Sequence, residues 1–78
     1  MADYWLDFPL YDKHFSTLEK ARAGAVKVLE KYYWNDNVRI MYGKRIHGRV
    51  VKGFGKNAWY YSVHNGDIYE IYKNGRKK

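Results

Sequence analysis

Trp59-Tyr60-Tyr61-Ser62-Val63-His64-Asn65-Gly66-Asp67-Ile68-Tyr69-Glu70-Ile71-Tyr72 is the stretch whose reading decides the fold. Two runs rich in aromatic and β-branched residues flank Asn-Gly, the dipeptide that best accepts the positive φ angles of a type I′ hairpin turn. A two-residue loop fixes the register. His64 opposes Asp67, Val63 opposes Ile68, Ser62 opposes Tyr69, Tyr61 opposes Glu70, Tyr60 opposes Ile71 and Trp59 opposes Tyr72. Strand side chains alternate in direction. One face of the hairpin therefore carries Trp59, Tyr61, Val63, Ile68 and Tyr72, and the other Tyr60, Ser62, His64, Tyr69 and Ile71.

Working outward, the same period of two continues upstream. Residues 38–42 read as a strand, Gly43-Lys44-Arg45 as a turn, 46–52 as a strand and 53–57 as a glycine-flanked loop. Residues 58–64 and 67–73 complete the hairpin. Before residue 38 the period changes. Leu18, Ala21, Ala25, Val28, Leu29 and Tyr32 follow helical spacing, behind a capping box at Ser16-Thr17-Leu18-Glu19 with Ser16 as N-cap. The helix is predicted over 17–33, ended by Asn35-Asp36-Asn37. Gly24 weakens its interior and suggests a close approach to another element. Residues 4–8 alternate and form a short strand, placed at an edge because Pro9 closes it; residues 10–15 connect. The fold class is α+β: one helix packed on an antiparallel sheet, in two layers, order β-α-β-β-β-β, with 1–78 a single domain.

One helix covers one face of a sheet. The hairpin places rings on both faces, so the other face keeps apolar surface exposed, unless a homodimer covers it. Such surface on a small protein marks a contact region. The charge points to what it contacts. Residues 1–36 hold five Lys/Arg against six Asp/Glu, net −1; residues 37–78 hold ten against two, net +8, which together give the chain's +7. From residue 38 to 66 there is no acid. Arg39, Lys44, Arg45, Arg49, Lys52 and Lys56 are candidates to hold phosphates, and Phe54, Trp59, Tyr60 and Tyr69 to stack on bases. A second stripe, Lys20, Gly24, Lys27 and Lys31, runs along the helix opposite its apolar positions. The sequence 74–78 reads as a frayed, solvated tail.

Reaction chemistry finds little support. Gly48 to Gly53 has the glycine spacing of a phosphate loop, but Phe54 stands where its lysine belongs and the context is strand-to-strand. His14, His47 and His64, with no cysteine, make no metal-ligand pattern, and no cofactor is expected. A small basic ribonuclease could use His47, His64, Glu70 and Arg49, but the register turns Glu70 away from His64. No secretory leader or membrane-spanning run is visible in the sequence, and cysteines are absent, so a cytoplasmic protein without membrane contact is expected.

No stretch matches the aromatic RNP motifs or the KH loop. Short, cysteine-free, aromatic and without catalytic motifs, the chain is similar in style to small accessory proteins of phages, anti-CRISPR proteins among them. Two readings follow. The first is a non-enzymatic module whose basic, aromatic sheet contacts nucleic acid or a nucleoprotein. The second, which the similarity implies, is a protein–protein inhibitor or adaptor that binds an acidic, nucleic-acid-binding groove of a larger nucleoprotein complex and competes with its nucleic acid.

Overall fold

The Asn-Gly hairpin forms in the predicted register. In the computed structural model, which describes residues 3–53 and 59–78, strands β5 (Tyr60–His64) and β6 (Asp67–Ile71) pair from His64↔Asp67 to Tyr60↔Ile71. Asn65 has φ 50° and Gly66 φ 84°, the left-handed backbone this turn requires. Around the hairpin stand β1 (Tyr4–Asp7), β2 (His14–Phe15), α1 (Leu18–Lys31), β3 (Asn37–Tyr42) and β4 (Arg45–Lys52). The six strands form one sheet, in the order β2-β1-β3-β4-β5-β6, with every neighbouring pair antiparallel. The helix lies on one face, so the two-layer α+β class holds.

The core is what the patterning builds. Leu6, Val38, Ile40, Val50, Tyr60 and Ile71 come from the sheet and Ala21, Ala25, Val26, Val28 and Leu29 from the helix, all buried. Alanines on the helix face bring its axis close to the sheet, and the larger side chains fill the remaining space. Gly24 explains its own presence. A Cβ there would stand 2.5 Å from the Phe15 ring, so Gly24 is the seat of Phe15 on the helix. It is buried and does not belong to a solvent-facing stripe with Lys20, Lys27 and Lys31, which are exposed.

Several expectations are corrected. The element order gains a two-residue strand: after Pro9-Leu10 the chain returns through a Phe8↔Tyr11 bridge and lays β2 against β1. β1 is therefore interior, and β2 is the edge. The N-cap is Thr17 rather than Ser16. Thr17 is the extended residue (φ −133°, ψ 155°), and its hydroxyl accepts from the Lys20 amide at 3.2 Å. Glu19, one residue too early to complete a box with Thr17, instead pairs with Arg76 at 3.2 Å. The helix closes at Tyr32, whose N–H donates to the Val28 carbonyl, and Tyr33 lies outside it, 83% exposed.

The sequence 74–78 is not frayed. Residues 72–78 turn back on a Tyr72–Arg76 backbone hydrogen bond, and Lys77 bridges to Ile71. Gly75 (φ 89°) is buried against the Glu19 carbonyl and the Ala23 amide. Ion pairs Glu19–Arg76 (3.2 Å) and Glu30–Lys73 (3.1 Å) clamp this strap at both ends. Glu19, Ala23, Val26 and Glu30 fall at i, i+4, i+7 and i+11, one side of the helix. Val26 lies on that side and is fully buried. The strap also occupies the free edge of β6, which would otherwise offer unpaired backbone groups.

Candidate functional site

Face assignment follows from register. The helix side holds Leu6, Ile40, Val38, Val50, Ser62, Tyr60, Tyr69 and Ile71. The uncovered side holds Trp5, Asp7, Arg39, Met41, Ile46, Arg49, Val51, Tyr61, Val63, Ile68 and Glu70, as the cross-strand partners require. Ile46 (55% exposed) and Ile68 (68%) stand free on it. Val51, Tyr61, Val63 and Ile68, with Lys52 and Gly53, line an open groove of ≈ 430 Å³.

Two of the candidate cations meet here. Arg39 and Arg49 are direct cross-strand partners on β3 and β4, both exposed. Asp7 opposes Arg39 from β1 and approaches it at 3.7 Å. Arg49 forms no ion pair among the described residues. Its next neighbour, Val63, is apolar. Glu70 is engaged elsewhere, at 2.7 Å from the Lys78 ammonium. Like charges opposite one another in an antiparallel pair destabilise it. This face accepts that penalty at its centre.

The other candidates scatter. Lys44 sits at the β3–β4 turn. Arg45 pairs with Tyr42, whose ring packs 4.8 Å from Tyr4 on the helix side, so Arg45 does not share a face with Arg49. The reason is a β-bulge. Ile40 pairs with Gly48 but Met41 with Ile46, leaving His47 as the extra residue. A Cβ at residue 48 would meet the Val63 carbonyl at 2.6 Å, so glycine is what lets the strand pass. Lys52, half-buried, opposes Tyr60. Phe54 and Lys56 lie outside the described residues.

Of the stacking candidates, Tyr60 needs correction. Tyr60 is a core residue, 7% exposed, and burial, with Glu30 nearby, pushes its phenol above the ordinary tyrosine value. It cannot receive a base without unfolding. Tyr69 lies on the helix side beneath the Arg22 guanidinium and the Lys77 ammonium. Trp59 is 46% exposed, but Lys78 Nζ stands 3.5 Å from its ring centroid. Tyr61, next along the chain from Tyr60 and absent from the candidates, is a ring on the uncovered face, one strand over from Val51 and beside Val63. Its register is legible from the Asn65-Gly66 turn; which face the helix covers is not.

His47 and His64 do converge, on the helix side. Their rings stack at 4.3 Å between centroids, 13° from parallel. His64 Nδ1–H donates to the His47 carbonyl, and its Nε2 accepts from the Asn65 amide at 3.2 Å. Burial, His64 and Arg22, in that order, hold the His47 pKa below the ordinary histidine value. Arg49 and Glu70 are on the opposite face. Among the described residues no three His, Asp or Glu converge as metal ligands, and no helix is long and apolar enough to cross a membrane. No family model, curated protein or solved structure matches the chain.

Proposed function

We propose that the protein is a non-enzymatic binding module that takes nucleic acid, alone or in a nucleoprotein, on its uncovered sheet face. The Arg39–Arg49 pair carries this reading. The two residues are direct cross-strand partners, so their like charges oppose one another in the free protein, offset only on Arg39 by Asp7 at 3.7 Å, and a phosphate bound by both would convert that repulsion into two charge-assisted contacts. Tyr61 offers a ring for a base, with Val51, Val63 and Ile68 as apolar surroundings. The setting is taken as cytoplasmic, the compartment that suits a cysteine-free chain.

The ribonuclease alternative is disfavoured by geometry. Rings stacked at 4.3 Å leave no gap for a phosphate between an acid and a base. The inhibitor alternative has one observation in its favour: the groove beside Arg49 is lined by aliphatic side chains, Val51, Val63 and Ile68, which suit a protein surface better than stacked bases. Titration with single- and double-stranded oligonucleotides across a salt series decides. Nucleic-acid binding predicts quenched Tyr and Trp fluorescence and binding that survives physiological salt. If binding vanishes there, as charge alone would, the inhibitor reading replaces it.

A further inference from the structure

On the helix side, away from Arg39 and Arg49, a second group of cations gathers without a matching acid. Arg22 of α1 donates from Nη2 to the Tyr69 hydroxyl, and its guanidinium lies 5.2 Å from that ring's centroid. The Lys77 ammonium stands 4.8 Å from the same centroid. Arg22 Nε is buried and has no hydrogen-bond partner among the described residues. Neither Arg22 nor Lys77 forms an ion pair there. One helix-side position along β5 from Ser62, the cross-strand partner of Tyr69, stands His64, stacked on His47, with Tyr4 edge-on to His47 at 5.5 Å. His64 uses both ring nitrogens locally, whereas no hydrogen bond is made by those of His47 among the described residues.

The surrounding charges do not neutralise this group. Asp67 is the cross-strand partner of His64, exposed and unpaired among the described residues. Glu19 and Glu30 are held by Arg76 and Lys73 along the strap, and Glu70 lies across the sheet with Lys78. Arg45 and Tyr42 flank from the β3–β4 turn. A guanidinium partly removed from water without a counter-ion is unfavourable. A buried donor without an acceptor asks for an ion or water to satisfy it.

We propose that Arg22, Lys77, Tyr69 and His47 form a separate oxyanion site that takes a phosphate group. Arg22 supplies the main donors, through the terminal N–H groups of its guanidinium that Tyr69 leaves free. Tyr69, already accepting from Arg22, turns its own hydroxyl proton to the anion. Lys77 adds charge from the strap, and His47 donates once protonated. The site is independent of the nucleic-acid reading because it lies on the other face of the sheet.

The test is an NMR titration of the full-length chain with inorganic phosphate, chloride holding ionic strength constant, following the imidazole signals of His47 and His64 and the Arg22 Nε–H. Saturable shifts at Arg22 and an upward displacement of the His47 titration in phosphate are expected. Arg22→Gln should weaken phosphate ~10-fold or more, the scale of a lost charged hydrogen bond. Lys77→Gln, at the surface, should weaken it several-fold in a chain whose fold is undisturbed, and Arg49→Gln should leave it unchanged. Dimethyl phosphate in place of phosphate tells a bridging diester from a terminal group; saturable shifts with either support the site. Superimposable His47 curves in phosphate and chloride would overturn it, as would undiminished phosphate binding in both Arg22→Gln and Lys77→Gln.

Discussion

Two adjacent hydroxyls, Ser16 and Thr17, compete for the helix start, and the sequence alone favours the wrong one. Ser16 satisfies the capping-box spacing with Glu19, but Glu19 is drawn to Arg76, a partner 57 residues later in the chain. The backbone turns helical one residue later than the box implies. Thr17→Ala should therefore lower stability by ~1 kcal/mol in chemical denaturation, while Ser16→Ala stays within ~0.5 kcal/mol of the parent. At His47 the expected effect is one of pH. Its native pKa is held below the ordinary histidine value of 6.5 by burial, His64 and Arg22. Above pH 6.5 both states carry a neutral ring and nothing is lost. As pH falls below 6.5 toward the lower native value, the unfolded chain takes up a proton that the native one resists, and stability declines. His47→Gln should flatten that limb of a stability-versus-pH curve between pH 7 and 5. An unchanged slope would place the acid sensitivity elsewhere.

At the scale of elements, the local signals were legible and the long-range ones were not. Asn65-Gly66 specifies its hairpin from within, so every described pair of β5 and β6 agrees with the sequence reading. β2 has only two residues, His14 and Phe15, too few for any period to register. The strap is invisible for a different reason. Asn74-Gly75-Arg76-Lys77-Lys78 has the composition of a solvated tail, and its order comes from contacts with a helix more than 40 residues earlier. Gly75 is its test. At φ 89° with the Glu19 carbonyl where a Cβ would go, Gly75→Ala is strained twice over. It should destabilise by more than ~1 kcal/mol and raise hydrogen exchange at the amides of Tyr72 and Lys78, which bond within or from the strap. If exchange there is already fast in the parent, the strap is not a fixed part of the fold.

For the whole molecule, the helix covers one face of the sheet and leaves the other open, and the bulge at His47 assigns residues between them. Simple alternation along β4 would put Arg45, His47 and Arg49 together, one continuous basic row. The extra residue turns Arg45 and His47 to the helix side and leaves Arg49 opposite Arg39. The local signal is Gly48, since a lone glycine inside a strand marks a bulge or a close backbone approach; which residue becomes the extra one is set by pairing with the neighbouring strands, where a Cβ at residue 48 would meet the Val63 carbonyl. The resulting pair yields a prediction in which stability and binding move in opposite directions. Arg49→Thr removes a like-charge opposition and places a β-branched residue in a strand, so the fold should gain ~0.2–1 kcal/mol. If the face holds phosphates, the same variant should weaken oligonucleotide binding and lower its log-log salt slope by ~0.7 for single strands or ~0.9 for duplex. Tyr61→Ala should weaken binding with little change in that slope, since stacking releases no counter-ions, and should remove part of the fluorescence quenching. Denaturation midpoints and salt-dependent titrations on the same three proteins separate the outcomes. A variant at Arg49 that loses stability, or keeps its full salt slope, would mean that the Arg39–Arg49 pair is not held in repulsion for the sake of an anionic partner.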